Sequence, residues 1–151
     1  MSFETSYSCT DLNMKKLFTI IILIFSTQLV HSQECNLNPE RGSKNYIIGY
    51  GSLMDKDSRT RTNKSALIVK PILINGFERT WGLNGGMYKI TFLTIIKKEN
   101  SVVNAVYYPV SIKDLNKTDR RESGYCRVKV EGKDLSFYGK KIKTKNKNFW
   151  V

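Results

Sequence analysis

Short runs of apolar residues, several of them alternating with polar residues, follow one another from residue 46 to the end of the chain. They are rich in β-branched and aromatic residues, a pattern typical of β-strands. The predicted strands cover residues 46–48, 66–74, 77–81, 89–97, 102–110, 125–130 and 135–138. Asn75-Gly76 and residues 98–101 are turn signals, and the second predicts a hairpin. The sequence therefore predicts an α+β fold, a small, mostly antiparallel β-barrel-like sheet with short helices.

Two polar segments predict the helical part of this fold. Residues 55–64 are highly charged and indicate a surface loop or a short helix. Ser111 stands three residues before an acidic residue, which is typical of a helix N-cap. We therefore predict a helix over residues 112–120, with Ile112 and Leu115 facing inward.

The first 32 residues have a different pattern. Met14-Lys15-Lys16 precedes an apolar run over residues 17–25, and permissive residues end the segment at Ser32. This is the layout of a secretory signal peptide, and the run is shorter than the roughly 20 residues that span a bilayer. We predict that translation starts at Met14, so that residues 1–13 are not translated, and that residues 14–32 are cleaved off. The protein would be exported, to the periplasm or the medium, with no stable membrane insertion. A membrane anchor or a core helix is the alternative.

After this segment, residues 33–44 are polar and predict a flexible lead-in to one domain over residues 45–151. The final Phe-Trp-Val has the character of a further core strand, so we expect the chain to be truncated at its C-terminus. Export would allow Cys35 and Cys126 to pair. The sequence does not place them within bridging distance, and a free, buried Cys126 is the state that we favour.

The net charge of +12 has a large local contribution, because residues 139–148 hold five lysines and no acidic residue. Such a run usually guards a solvated sheet edge. A surface patch for anionic partners is the alternative, but without arginines or base-stacking aromatics we expect no nucleic-acid partner. The one histidine, His31, falls in the predicted signal peptide, which excludes Ser-His and Cys-His catalysis. No metal-ligand spacing is present, and no cofactor is expected.

The candidate site begins where the first strand runs into Gly49-Tyr50-Gly51-Ser52-Leu53. Glycine allows positive φ and close approach, so successive N–H groups can converge on an anion. The Ser52 hydroxyl can donate to the same point. Alternatively, the segment is an ordinary turn that ends a strand.

Glu122 stands where the predicted helix passes into a strand, a position from which a side chain can point into a concavity. Desolvation there would raise the pKa of its carboxyl group towards that of a general base. Tyr125 would wall the same pocket, although an aromatic at this spacing also suits a core. Arg79 and Trp81 are expected to be structural.

Three motifs in this order resemble the gamma-glutamylcyclotransferase-like family. They are Tyr50-Gly51-Ser52-Leu53, the Gly-Phe-x-Arg-x-Trp segment over residues 76–81, and Asp-x-x-Glu-x-Gly-Tyr-x-Arg-x-x-Val over residues 119–130. The resemblance covers residues 46–130. It implies an α/β fold around a small barrel, with a cavity between the turn and the acidic residue.

The resemblance also implies a cofactor-free reaction on a small-molecule substrate. The α-amine of a γ-glutamyl group attacks its own γ-carbonyl, which forms 5-oxoproline and releases an amine or amino acid. The turn would hold the glutamyl group, and Glu122 would transfer the proton. Two alternatives remain open: a non-catalytic γ-glutamyl- or anion-binding domain of the same fold, and a basic surface-interaction protein acting through residues 140–147.

Overall fold

A computed structural model of the chain describes residues 35–84, 90–138 and 143–151. The strands in these ranges are β1 (Lys44–Gly49), β2 (Lys70–Asn84), β3 (Thr91–Val110), β4 (Lys129–Val130), β5 (Leu135–Phe137) and β6 (Lys147–Trp150). The helices in the same ranges are α1 (Lys56–Thr62) and α2 (Ile112–Arg121), with 3₁₀ turns at Ser52–Met54 and Gly132–Asp134.

The described strands form one sheet in the order β4-β6-β1-β3-β2-β5. β1 and β6 run parallel, and every other pair is antiparallel. This nearly closed, mixed sheet with its short helices confirms the predicted α+β, barrel-like fold. Phe149 and Trp150 are 1% and 2% exposed. The C-terminal apolar residues therefore form a buried strand, as predicted.

β1 is buried on both faces because successive strand residues point to opposite sides. Ile48 packs in the larger core cluster with Ile72, Ile74 and other side chains of the sheet. Ile47 packs in a second cluster with Leu115 of α2 and residues from the neighbouring strands. Full burial of each such side chain stabilises the fold by about 1.5–3 kcal/mol. β1 therefore joins the sheet core to the helical layer.

The two predicted turns, at residues 75–76 and 98–101, do not end strands, and these predictions were wrong. β2 and β3 continue through both segments, and the pairing jumps from Asn75 with Val102 to Phe77 with Lys97. The backbone has positive φ at Gly76 (77°) and at Asn100 (59°). Both strands bend at the same place through a β-bulge, which favours curvature of the sheet. The turn-forming residues thus bend a long hairpin instead of closing a short one.

Two predicted strands are shorter in the structure than in the prediction. Residues 66–69 form a turn and a loop, and β2 begins only at Lys70. The carbonyl oxygens of Ala66 and Leu67 accept hydrogen bonds from Arg59, at 2.7 and 3.3 Å. A side chain therefore satisfies the backbone there in place of a neighbouring strand. Likewise, only residues 129–130 of the predicted strand 125–130 pair with β6.

Both helices begin at side-chain caps. Asp55 accepts a hydrogen bond from the Ser58 N–H (2.8 Å), and Ser111 accepts one from the Asp114 N–H (3.1 Å), as predicted. Leu115 is fully buried, but Ile112 is 53% exposed, contrary to the prediction. The buried residues of α2 are Leu115 and Thr118, so the helix packs through its middle and its first turn stays in solvent.

The lead-in is tied to the domain by a disulfide between Cys35 and Cys126, whose Cα atoms are 5.0 Å apart. The preference for a free, buried Cys126 was therefore wrong, and this residue is also exposed. The Asn36 N–H donates to the carbonyl oxygen of Arg127 at 2.9 Å. The Arg127 guanidinium in turn binds Asp119 (2.7 Å) and lies over the Trp150 ring. Residues 35–37 thus dock where α2, β4 and β6 meet.

The predicted signal peptide and residues 139–142 of the lysine-rich run lie outside the described residues. Within the ranges given above, neither helix is long and apolar enough to cross a membrane. The same ranges contain no group of three or more His, Cys, Asp or Glu side chains placed to hold a metal ion.

Candidate functional site

The turn after β1 is set by close packing between Gly49 and Leu53. A β-carbon at position 49 would lie 2.8 Å from the Leu53 Cβ and 3.0 Å from the Leu53 carbonyl carbon. Such a contact is not compatible with a larger residue, so glycine lets the chain fold back onto the end of β1. The Met54 N–H then donates to the Gly51 carbonyl oxygen at 2.9 Å and closes the 3₁₀ turn.

The predicted positive φ is absent from this turn, since Gly51 has φ −126° and Gly49 is not among the residues with positive φ. The hydrogen-bond donors have a different origin. The first N–H groups of a helical turn lack acceptors within it. In this segment the N–H groups of Gly51, Ser52 and Leu53 make no hydrogen bond with another described residue. The exposed Ser52 stands beside them. Unpaired donors therefore remain available at the turn.

Arg79 fixes the turn to the sheet. Its Nε donates to the Tyr50 carbonyl oxygen at 3.1 Å, and its Nη1 donates to the Asn104 Oδ1 at 2.5 Å. Its Nη2 also donates to the Asn104 carbonyl oxygen and contacts the Met54 sulfur. These contacts support the structural role expected for Arg79. Trp81, expected to be structural as well, is 71% exposed and lies outside the core.

Glu122 is the C-cap residue of α2. Its N–H donates to the Thr118 carbonyl oxygen, and its own carbonyl oxygen accepts from the Tyr125 N–H, both at 2.8 Å. The backbone of residues 122–125 is therefore fixed on both sides. The side chain is 26% exposed, and its Oε1 lies 3.2 Å from the Arg121 Nε. Glu122 is thus a partly buried carboxylate with an arginine partner.

The structure brings Glu122 close to both tyrosines predicted for the site. Burial, with the nearby Tyr125 and Glu122, raises the pKa of Tyr50 to about 12, and hydrogen bonds with Thr94 and the Ile95 backbone act in the opposite direction. Burial and the Glu122 charge likewise raise the pKa of Tyr125. The Glu122 carboxylate therefore acts electrostatically on a phenol of the turn and on a phenol of its own loop.

Tyr108 is a neighbour of Glu122 that sequence reasoning missed. It is 1% exposed on β3. The pKa of Tyr108 is raised to about 12, mainly by burial; Arg121 and Arg59 oppose the rise, and Glu122 makes a smaller contribution to it. The sequence analysis placed Tyr108 only within the predicted strand over residues 102–110. Its proximity to Glu122 depends on how α2 packs on the sheet, which no local sequence pattern indicates.

The loop that carries Glu122 is also tied to the β2–β3 hairpin. The Tyr125 hydroxyl donates to the Leu93 carbonyl oxygen at 2.9 Å. A β-carbon added at Gly124 would lie 3.0 Å from the Leu83 Cδ2. The Leu93 side chain also faces the turn, 3.7 Å from the position of a β-carbon at Gly51. The candidate site is therefore bounded by the turn, the Glu122 loop and this hairpin.

Comparisons with known proteins bear on the fold. No family model matches the chain, and no curated protein matches it. A gamma-glutamyl cyclotransferase structure aligns with a TM-score of 0.57 and 17% identity, over 72% of this chain and 66% of that one. A protein from Arabidopsis thaliana aligns with a TM-score of 0.50 and 20% identity, over 76% of this chain and 61% of that one.

YkqA from Bacillus subtilis aligns with a TM-score of 0.56 and 15% identity, over 72% of this chain and 40% of that one. The chain spans less than two thirds of the length of the gamma-glutamyl cyclotransferase and of the Arabidopsis thaliana protein. At these identities the structural similarity establishes the fold alone. Any chemistry has to be argued from the residues of the candidate site.

Proposed function

Because the chain has the gamma-glutamylcyclotransferase-like fold, we propose that it cyclises the γ-glutamyl group of γ-glutamyl amines or peptides to 5-oxoproline. One observation carries the proposal. The Glu122 carboxylate is near enough to Tyr50 and Tyr125 to raise the pKa of both phenols, although the turn and the acidic loop are far apart in the sequence. A carboxylate, phenols and unpaired N–H donors suit a substrate that carries an ammonium group and a carboxylate.

The chemistry needs one proton carrier and no cofactor. Glu122 takes a proton from the α-ammonium of the substrate, and the freed amine attacks the γ-carbonyl carbon. A C–N bond forms, and the carbonyl oxygen becomes negatively charged in the tetrahedral intermediate. When the bond to the leaving nitrogen breaks, Glu122 gives its proton to that nitrogen. Glu122 then takes the second proton from the new ring nitrogen and releases it to solvent, which leaves the ring nitrogen neutral and the carboxylate ionised for the next turnover. The products are 5-oxoproline and the free amine.

The protein's main contribution is positioning. Both reacting groups belong to one molecule, so holding the folded-back conformer supplies much of the rate acceleration. The N–H groups of Gly51, Ser52 and Leu53, with the Ser52 hydroxyl, would bind the α-carboxylate. Tyr50 and Tyr125 would wall the pocket. The substrate ammonium would replace Arg121 as the partner of Glu122, and the 26% exposure of the carboxylate is consistent with such access.

The test is release of 5-oxoproline from a panel of γ-glutamyl amines and peptides. Glu122→Gln keeps the shape of the side chain but removes the proton acceptor, so we expect kcat to fall by about 10²–10⁴-fold. Glu99→Gln, the same change on an exposed part of β3, is the matched control and should keep the parent rate.

Two outcomes would count against the proposal. An active protein whose Glu122→Gln variant keeps the full rate would remove Glu122 from the mechanism. Saturable binding of γ-glutamyl compounds by the folded chain without any turnover would identify the non-catalytic binding domain instead.

We also propose that the domain is exported. The Cys35–Cys126 disulfide supports this, because structural disulfides persist in oxidising compartments. Expression of the full chain with a C-terminal tag should yield an extracytoplasmic product that begins at Gln33. Retention of an unprocessed chain in the cytoplasm would contradict the proposal.

A further inference from the structure

A groove lies between the end of α1 and the α2 helix, and its volume is about 700 Å³. Basic side chains dominate its lining. Its charged residues are Arg61, Lys64, Asp114, Lys117, Arg120 and Arg121. Five positive charges therefore face the same space as one negative charge.

The negative charge in the groove is already neutralised. The Asp114 carboxylate binds the Lys117 Nζ at 3.0 Å and accepts from the Ser111 hydroxyl at 2.8 Å. The guanidinium of Arg121 is also partnered, by Glu122, Ser58 and Thr62. Asp114 is therefore not available to balance the other cations of the groove.

Three cations in the groove remain without a counter-charge. Arg61, Lys64 and Arg120 are exposed, and none of them forms an ion pair with an acidic group among residues 35–84, 90–138 and 143–151. Basic residues in the last turn of a helix interact favourably with the helix dipole, which explains the presence of Arg61 in α1 and of Arg120 in α2. It does not account for Lys64, which follows α1, or for the gathering of these charges around one groove.

A buried amide in the groove points to the same kind of ligand. Asn63 lines the groove and is 1% exposed. Its Oδ1 accepts from the N–H and the hydroxyl of Ser65, at 3.2 and 2.7 Å, which fixes Nδ2 as a donor. That Nδ2 has no acceptor within the described part of the chain. A buried donor without a partner is destabilising, and an oxyanion that penetrated to this amide would supply the missing acceptor.

We propose that this groove binds an anion that carries two or more phosphate or sulfate groups. The planar guanidinium group matches the oxygens of both, and lysine adds a point charge. The volume is in the range of small-ligand pockets, which favours a compact polyanion. No aromatic side chain lines the groove, so it lacks the surfaces on which nucleobases stack. The ligand class follows from charge and size alone and does not depend on the proposed cyclisation.

The test is calorimetric titration of the full chain at low ionic strength with tripolyphosphate and, separately, with a sulfated disaccharide. We expect saturable binding at a single site that weakens as salt screens the charges. The double variant Lys64→Gln/Arg120→Gln should raise Kd by at least about tenfold, because two charge-assisted contacts are lost.

The control has the same net charge. Lys97→Gln/Lys133→Gln also removes two exposed positive charges, but away from the groove, and should leave Kd within about twofold of the parent value. Tighter binding of one probe would identify phosphate or sulfate as the natural group. If the groove variant does not fold, the single change Lys64→Gln on an exposed side chain replaces it.

Two results would overturn the proposal. The first is the absence of saturable binding of either probe to the folded parent at low salt. The second is an equal loss of affinity in the groove variant and the charge-matched control, which would mean that the ligand follows the overall charge of the protein instead of this groove.

Discussion

The Arg79 guanidinium donates a hydrogen bond to the Tyr50 carbonyl oxygen, and the two residues are separated by 29 positions in the sequence. The same group binds Asn104 on β3. One side chain on β2 therefore joins the candidate substrate-binding turn to two strands. Its planar arrangement of donors is what allows these contacts at once.

Arg79→Lys should consequently destabilise the fold, although it preserves the charge. Lysine cannot reach Tyr50 and Asn104 with the same geometry, and we expect a loss of about 1–3 kcal/mol in the free energy of unfolding. Urea unfolding measures this loss. Arg41→Lys, on an exposed residue of the lead-in, is the matched control and should change stability by less than about 0.5 kcal/mol. Equal stability of the two variants would mean that the Arg79 contacts contribute nothing.

Gly49→Ala should disturb the turn itself. The added methyl group would meet the Cβ, carbonyl carbon and carbonyl oxygen of Leu53 at 2.8–3.0 Å, and backbone atoms cannot move aside as a flexible side chain can. Overpacking of this kind typically costs about 1–3 kcal/mol. Thermal or urea unfolding gives the stability, and Ser52→Ala, a change to an exposed side chain of the same turn, should leave it near the parent value. An unaffected Gly49→Ala protein would show that the turn can relax.

Local patterns were sufficient for the fold class and for most elements. The cap at Ser111, the β-branched and aromatic residues of β1 and the buried C-terminal residues all depend on near neighbours in the sequence. The hairpins were not predictable in this way. Asn75-Gly76 favours a turn and a bulge equally well, and only the pairing of Phe77 with Lys97 shows that β2 and β3 continue past it. Curvature of a nearly closed sheet is a property of the whole sheet.

The candidate site shows the same division. The sequence motifs singled out Glu122, Tyr50 and Tyr125, and the structure places these three side chains together. The sequence motifs did not predict Tyr108 or the Arg121 partner of Glu122, because both depend on the packing of α2 against β3. The Cys35–Cys126 pairing was missed for a similar reason, since no local pattern reports the distance between residues that are 91 positions apart.

Loss of that disulfide should destabilise the protein. A crosslink between residues so distant restricts the unfolded chain, and its removal typically costs about 2–5 kcal/mol. We expect Cys35→Ser/Cys126→Ser to lower the urea midpoint, and a reductant to bring the parent protein to the same value. The third cysteine, Cys9, lies in the segment that we expect not to be translated, so Cys9→Ser should have no effect. Alkylation of Cys126 in the native, non-reduced protein would contradict the disulfide.

The buried phenols around Glu122 should make stability fall in alkaline solution. Burial raises the pKa of Tyr50 and of Tyr108 to about 12, against about 10 in an unfolded chain. Below about pH 10 both states keep the phenolic protons and this contribution to stability is complete. Between about pH 10 and pH 12 the unfolded chain releases protons that the folded chain retains, so unfolding becomes easier as pH rises.

Urea midpoints measured across that pH range test this linkage, with phenolate absorbance as a direct readout of tyrosine ionisation. Lysines titrate in the same range, so the comparison of variants is decisive. Tyr108→Phe removes one buried phenol and should make the alkaline fall in stability shallower. Tyr138→Phe makes the same change on a ring that is 60% exposed and should keep the parent slope. Identical slopes for the two variants would mean that Tyr108 ionises as readily in the folded chain as in the unfolded one. Its burial near Glu122 would then not raise the pKa of its phenol.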